Sequence, residues 1–133
     1  MKRILVAYDG GEPARRALDV AIDLAKRYDA LVSVVSVIPA DPDRTPIDPW
    51  EDSIVHATAL REARASLAEH GIEAELLEPT GDPARTIEKI VETGGFDTVV
   101  VGSRGLGPVS RVLQGSFSEH VAMHAETTVV IAR

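Results

Sequence analysis

Five apolar segments of strand length alternate with four segments of helical periodicity, and this alternation restricts the fold more than any other feature. The apolar segments span residues 2–8, 30–38, 72–77, 96–101 and 127–132. Most are continuous apolar runs, which are typical of strands buried on both faces, whereas glutamates alternate through 72–77 and indicate an edge strand. Strands that alternate with helices form a parallel sheet with helices on both faces and right-handed crossovers. The sequence therefore predicts a doubly wound, Rossmann-like α/β fold in a single domain, residues 1–133.

Signals for helix ends lie between these segments. A loop with four prolines spans residues 39–50, and Asp52 or Ser53 after it is predicted to cap the second helix. Thr80-Gly81 is predicted to be a turn, and Asp82 is predicted to cap the third helix because a proline follows it at the first helical position.

Composition and charge exclude several classes of protein. The chain has no cysteine, which removes disulfides, thiolate catalysis and cysteine-ligated metals. Its net charge of -7, with no basic stripe, argues against binding to nucleic acid or to anionic membranes. No apolar run approaches the length of a transmembrane helix. The first apolar segment is too short for a signal peptide and is interrupted by Tyr8-Asp9-Gly10, so the protein is predicted to be cytoplasmic.

A glycine- and serine-rich stretch, residues 101–118, joins the fourth strand to the last helix, which is predicted over Ser116–His124. Glycines let a phosphate approach the backbone, and a helix N-terminus presents unpaired N–H groups with partial positive charge. The stretch is therefore predicted to bind phosphates, although any one of its glycines alone would be explained by a tight turn. No lysine follows Gly115, so this is not a Walker A loop.

Three strand ends are predicted to converge on one crevice, because ligands bind at the carboxyl ends of parallel strands where the strand order reverses. Asp9, Val37 and Gly102 lie at these ends. The Asp9 carboxylate has three candidate roles: to cap the following helix, to accept a hydrogen bond from a ribose or base, or to reach a metal on the phosphates. Arg104 either neutralises phosphate or lies in solvent.

The histidines give no firm catalytic signal. His120 and His124 are four residues apart on one helix, a spacing that binds zinc when a third ligand is in reach, but Glu119 points elsewhere. They are interpreted as part of a polar helix face or as partners of the C-terminal helix dipole, with His124 near the helix end. His56 and His70 are interpreted as surface residues. No Ser–His–Asp order and no carboxylate pair indicates hydrolysis.

The spacing Gly102-x2-Gly105-x9-Gly115-Ser116 resembles the G-2x-G-9x-G-(S/T) signature of the universal stress protein family, in its ATP-binding branch. The resemblance extends from the first strand, through Gly81-Asp82-Pro83, to the closing strand. It implies an adenine nucleotide α-hydrolase-like sheet in the order 3-2-1-4-5, ATP binding, and a homodimer paired through Thr127–Ala132. An apolar edge strand at that position independently favours pairing.

The resemblance also implies a role for individual residues. Asp9 would bind ribose or adenine, Val37 would meet adenine through its backbone, and the glycine stretch would hold the ribose and phosphates. Magnesium on the phosphates, in reach of Asp9, is an expected companion of ATP. Gly11 stands where the family commonly has serine, so one expected hydroxyl is missing. The full predicted nucleotide site is Ala7, Tyr8, Asp9, Val37, Val101, Gly102, Arg104, Gly105, Gly115, Ser116, Phe117 and Ser118.

Three functions fit these observations. The predicted one is an ATP-binding stress-response protein that acts as a nucleotide-dependent switch or chaperone-like module. Hydrolysis would be slow at most, since no residue is evidently placed to activate water. The alternatives are an adenine-nucleotide-using enzyme of related fold, which would need an activating group, and a structural dimer with a vestigial nucleotide site.

Overall fold

The computed structural model describes residues 1–39, 49–103 and 114–133. The elements in chain order are β1 (Arg3–Ala7), α1 (Glu12–Tyr28), β2 (Leu31–Val35), β3 (Ile38–Pro39), α2 (Pro49–Glu69), β4 (Ala74–Leu77), β5 (Thr80–Gly81), α3 (Pro83–Gly94), β6 (Thr98–Gly102), α4 (Gln114–His124) and β7 (Thr128–Ala132). One sheet has the order β4-β2-β1-β6-β7, and all its neighbouring pairs are parallel. Numbered among these five strands alone, the order is 3-2-1-4-5. The predicted doubly wound α/β fold is confirmed.

The core lies on both faces of this sheet. Along β1, Ile4, Val6 and the following Tyr8 pack into the layer under α1 and α2. Leu5 and Ala7 pack into the opposite layer, with residues of α3 and α4. A strand buried on both faces favours apolar residues at successive positions, which explains why the central strands are predominantly apolar. The edge strand β4 is only partly buried, in agreement with its alternating glutamates.

A second, two-stranded sheet is absent from the sequence prediction. Ile38 pairs with Thr80 and Pro39 with Gly81, in parallel. The second strand predicted over 30–38 is present as β2, but its predicted end is wrong because β2 ends at Val35. The predicted turn at Thr80–Gly81 is wrong because these residues form β5. Strands of two residues are too short to show a periodicity in the sequence. They form here because β3 and β5 directly follow β2 and β4, which are already paired in parallel.

The helix ends confirm one predicted cap and correct another. The Asp82 carboxylate accepts a hydrogen bond from the backbone N–H of Arg85 at 3.1 Å and caps α3 as predicted. The cap at Asp52 or Ser53 is wrong because α2 begins earlier, at Pro49. Proline suits a first helical turn, whose N–H groups have no partner within the helix. Within the described ranges, no helix is long and apolar enough to cross a membrane.

Asp97 joins the beginning of β6 to the beginning of β1. Its Oδ2 accepts hydrogen bonds from the backbone N–H groups of Lys2 at 2.6 Å and Arg3 at 3.4 Å, and its Oδ1 accepts from Thr98 Oγ1 at 3.0 Å. Desolvation opposes ionisation of this carboxyl, but the hydrogen bonds outweigh it and lower the pKa of Asp97 below its ordinary value of 3.8.

Acidification is therefore expected to destabilise the fold through Asp97. A carboxyl whose pKa is lowered by folding stabilises the native state fully above its unfolded pKa, and that stability disappears as the pH falls through the folded pKa. Urea unfolding should be measured from about pH 5 to about pH 2.5. Over this range the free energy of unfolding should fall more steeply for the wild type than for Asp97→Asn, whose amide does not titrate. The exposed Asp19→Asn variant should keep the wild-type slope. Equal slopes for Asp97→Asn and wild type would contradict this assignment.

Candidate functional site

The carboxyl ends of β1, β2 and β6 lie side by side. Ala7 is opposite Val35 and Val6 is opposite Val100, and the N–H of Tyr8 donates to the carbonyl of Val35 at 2.9 Å. Continued by two residues, these registers bring Asp9 level with Val37 and Tyr8 level with Gly102. The strand order reverses here, since the chain passes from β1 to β2 on one side and returns to β6 on the other. This edge is the position where doubly wound sheets bind ligands.

Asp9 organises the turn between β1 and α1. Its Oδ1 accepts a hydrogen bond from the N–H of Gly11 at 2.8 Å. Gly10 has φ +86, a conformation that residues with a side chain rarely adopt. Gly11 is the N-cap residue of α1, and no side chain caps that helix, so the predicted capping role of Asp9 is wrong. The carboxylate instead fixes the turn and stays partly exposed at the carboxyl edge of the sheet.

The other strand-end residues of the predicted site bury their side chains. Ala7, Tyr8, Val37 and Val101 are all at most 5% exposed. Burial raises the pKa of the Tyr8 phenol above its ordinary value, an effect that a hydrogen bond with Arg15 partly offsets. The neutral phenol belongs to the core, so a ligand at these positions would meet mainly backbone atoms.

Gly102 is required by packing. A Cβ atom at this position would lie 2.7 Å from the backbone C and O atoms of Pro13 and 2.8 Å from its Cβ. The last residue of β6 therefore passes directly under the first turn of α1, at a separation that only glycine permits. Any contact of Gly102 with a ligand would come in addition to this packing role.

The glycine stretch lies largely outside the described residues. Arg104 and Gly105 are beyond the described range, so their predicted roles stay predictions. Helix α4 begins at Gln114, two residues before the predicted start. Its first turns contain the remaining predicted phosphate ligands, Gly115, Ser116, Phe117 and Ser118.

Sequence reasoning missed a polar pair near the same edge. Ser36 follows β2 and is 1% exposed, and its hydroxyl is hydrogen-bonded to Nδ1 of the half-buried His56 on α2. The interpretation of His56 as a surface residue is wrong. A serine between apolar residues was the available signal, because a buried hydroxyl needs a partner.

Glu88 supplies the third potential metal ligand beside His120 and His124. It comes from α3, not from the last helix, and its Oε1 lies 2.8 Å from His120 Nε2. The interpretation of the histidines as an unassisted polar face is therefore incomplete. The sequence could not place Glu88 there, since the contact depends on how α3 and α4 pack.

Comparison with known proteins identifies the family. The model of the universal stress protein family matches residues 1–133. The chain belongs to the universal stress protein family. The universal stress protein YxiE of Bacillus subtilis is 30% identical over 145 residues, covering 98% of either chain. A universal stress protein of Thermus aquaticus is 33% identical over 135 residues, covering 99% of this chain and 98% of its own.

Solved structures of universal stress proteins share the fold. One in complex with cAMP has a TM-score of 0.80 at 23% identity, covering 99% of this chain and 97% of its own. One from Arabidopsis thaliana with AMP bound has a TM-score of 0.75 at 22% identity, covering 99% and 91%. At 22–23% identity, these likenesses establish the fold alone.

Proposed function

We propose that this universal stress protein binds ATP at the carboxyl edge of its sheet and acts as a nucleotide-dependent switch or chaperone-like module in a stress response. The observation that carries the proposal is the convergence of Asp9, Val37 and Gly102 at the reversal of strand order. The family relatives bound to cAMP and AMP support an adenine nucleotide as the ligand.

The binding mode follows from which groups the edge exposes. Side chains at Ala7, Tyr8 and Val37 are buried, so the base would be recognised by backbone groups and by the shape of the crevice. Asp9 would accept hydrogen bonds from the ribose or the adenine. The amides at the beginning of α4, with the hydroxyls of Ser116 and Ser118, would hold the phosphates.

Magnesium fits this arrangement. The ion commonly binds one or two carboxylates together with substrate phosphates, and Asp9 presents one carboxylate at the crevice. When bound, it would neutralise phosphate charge and help fix the orientation of the nucleotide. Slow hydrolysis at most is proposed, because a general base must lie within hydrogen-bond reach of the attacking water and the described residues at this edge offer no evident candidate.

Pairing of two copies through β7 is part of the proposal. This strand forms one edge of the sheet, and Ile131 on it is 40% exposed. On the neighbouring helix α4, Met123 is 81% exposed. An apolar edge strand pairs readily with a second copy of itself.

We further propose a cytoplasmic location and no nucleic-acid partner, in keeping with the net charge of -7.

Loss of the Asp9 carboxylate is expected to weaken ATP and adenosine binding alike. A hydrogen bond to a charged group is worth about 1.5–3 kcal/mol, which corresponds to roughly ten- to hundredfold in affinity. The two ligands share the nucleoside, so Asp9→Ala should affect both equally in calorimetric titrations without magnesium. Asp19→Ala, which removes an exposed carboxylate of α1, should leave both affinities unchanged. Undiminished binding by a folded Asp9→Ala variant would contradict the proposed role, and absence of ATP binding in the wild type would favour a vestigial site.

A further inference from the structure

Three side chains with metal-binding atoms meet between α3 and α4. Glu88 comes from α3, and His120 and His124 come from successive turns of α4. One ligand atom of each lies within 4.8 Å of the other two. The two imidazole rings stack, with centroids 4.2 Å apart and planes 18° from parallel. Histidines four residues apart on one helix face are well placed to share a metal ion.

One oxygen of the Glu88 carboxylate is buried beside His120. Its Oε1 is shielded from solvent and, among the described residues, accepts no hydrogen bond, although His120 Nε2 lies only 2.8 Å away. These two atoms are therefore close enough together to be ligands of one ion. Buried carboxylate oxygens are normally hydrogen-bonded or metal-bound, and a cation shared with His120 would satisfy this one.

His124 is oriented by the backbone. Its Nδ1 lies 3.0 Å from the carbonyl oxygen of His120, a distance at which a protonated Nδ1 donates to that carbonyl. The lone pair then resides on Nε2. A metal-bound histidine typically donates its other ring N–H to a backbone carbonyl in this manner, which fixes its tautomer and orientation.

We infer that Glu88, His120 and His124 form a binding site for a divalent transition metal of the zinc type. Two imidazoles and one carboxylate are the donor set of zinc sites with an open position, in which water or a further ligand completes a tetrahedron. Tetrahedral ligand distances of about 2.0–2.2 Å require ligand atoms about 3.3 Å apart, so small side-chain rotations convert the present arrangement into a bound one. Magnesium and calcium prefer oxygen ligands and would not compete at this set.

The site is separate from the proposed nucleotide site. It lies between two helices on one face of the sheet, whereas the nucleotide would occupy the carboxyl edge. A metal at this position would link α3 to α4, the helix whose first turn is proposed to hold the phosphates. Its test therefore uses nucleotide-free protein, which also avoids metal chelation by ATP.

Titration of the untagged, nucleotide-free protein with zinc chloride tests the inference. The wild type should bind one zinc per chain, and Glu88→Gln and His120→Gln should each weaken binding by at least about tenfold. His70→Gln is the matched control, because His70 is an exposed histidine on the opposite side of the sheet, beside Lys26. It should bind zinc as the wild type does. Equal affinities for Glu88→Gln, His120→Gln and wild type would overturn the site, and so would loss of binding in His70→Gln.

Cobalt spectroscopy keeps the inference testable if a variant fails to fold. Cobalt(II) replaces zinc in such sites, and in low-coordinate nitrogen and oxygen ligation it gives intense visible absorption. The wild type with one equivalent of cobalt chloride should show these bands, and one equivalent of zinc should abolish them. The weak spectrum of octahedral, hydrated cobalt alone would overturn the inference.

Discussion

Replacing Gly102 with alanine is expected to lower the free energy of unfolding by about 1–3 kcal/mol, with a larger loss for valine. The added Cβ would lie 2.7 Å from the backbone C and O atoms of Pro13, a separation that real Cβ contacts do not show. Backbone atoms cannot rotate away as a flexible side chain does. The beginning of α1 must therefore move away from β6, which disturbs the core and the turn that Asp9 fixes.

Gly11→Ala is the matched control. It makes the same glycine-to-alanine change at the N-cap of α1, two residues before the Pro13 that Gly102 contacts. Gly11 has φ -76, which alanine adopts without strain. Its added Cβ would lie 3.1 Å from Asp9 Oδ1, a side-chain atom that would have to shift by only a few tenths of an ångström. Its free energy of unfolding should change by less than about 1 kcal/mol. Urea unfolding curves that give both variants the same stability would contradict the packing role of Gly102.

Gly102 is one of the glycines in the G-2x-G-9x-G-(S/T) spacing, and its contact with Pro13 gives a packing reason for glycine at this position. Spacing in a sequence reports that glycine is required, but it does not report whether a ligand or a neighbouring helix requires it. Loss of nucleotide binding in a Gly102 variant would therefore be ambiguous, because the fold itself would change. Gly115 is the better position for testing phosphate binding.

The sheet was predictable because burial on both faces has a direct signature in the sequence. The predominantly apolar runs at β1, β2 and β6 are typical of strands with a helix layer on each side, and the helices between them favour parallel pairing. The strand order was implied by the resemblance to the family, and the structure confirms it. The cap at Asp82 was equally local, because residue type and the following proline determine it.

Features that depend on packing between distant segments were not predictable. The pairing of β3 with β5 involves two residues on each strand, too few for a pattern. Ser36 and His56 meet because α2 crosses the end of β2, and Glu88 reaches His120 because α3 packs against α4. No periodicity encodes such meetings. For the candidate site, the sequence indicated which residues lie at strand ends, whereas which of them bury their side chains required the structure.

The measurement that tests the central claim most directly is calorimetric titration of the wild type and Gly115→Val with ATP and with adenosine. Gly115 lies in the first turn of α4, whose backbone amides we propose to hold the phosphates, and a valine there is expected to hinder that contact. Loss of one charge-assisted hydrogen bond, worth about 1.5–3 kcal/mol, corresponds to roughly ten- to hundredfold weaker binding. Ala122→Val, at an exposed position of the same helix, is the control for introducing a β-branched residue.

We predict that the wild type binds ATP and that Gly115→Val loses at least about tenfold in ATP affinity. Binding of adenosine, which is weaker than that of ATP, should be unchanged in the variant because adenosine carries no phosphate. Ala122→Val should match the wild type with both ligands. Undiminished ATP affinity in a folded Gly115→Val variant would contradict the placement of the phosphates at the beginning of α4.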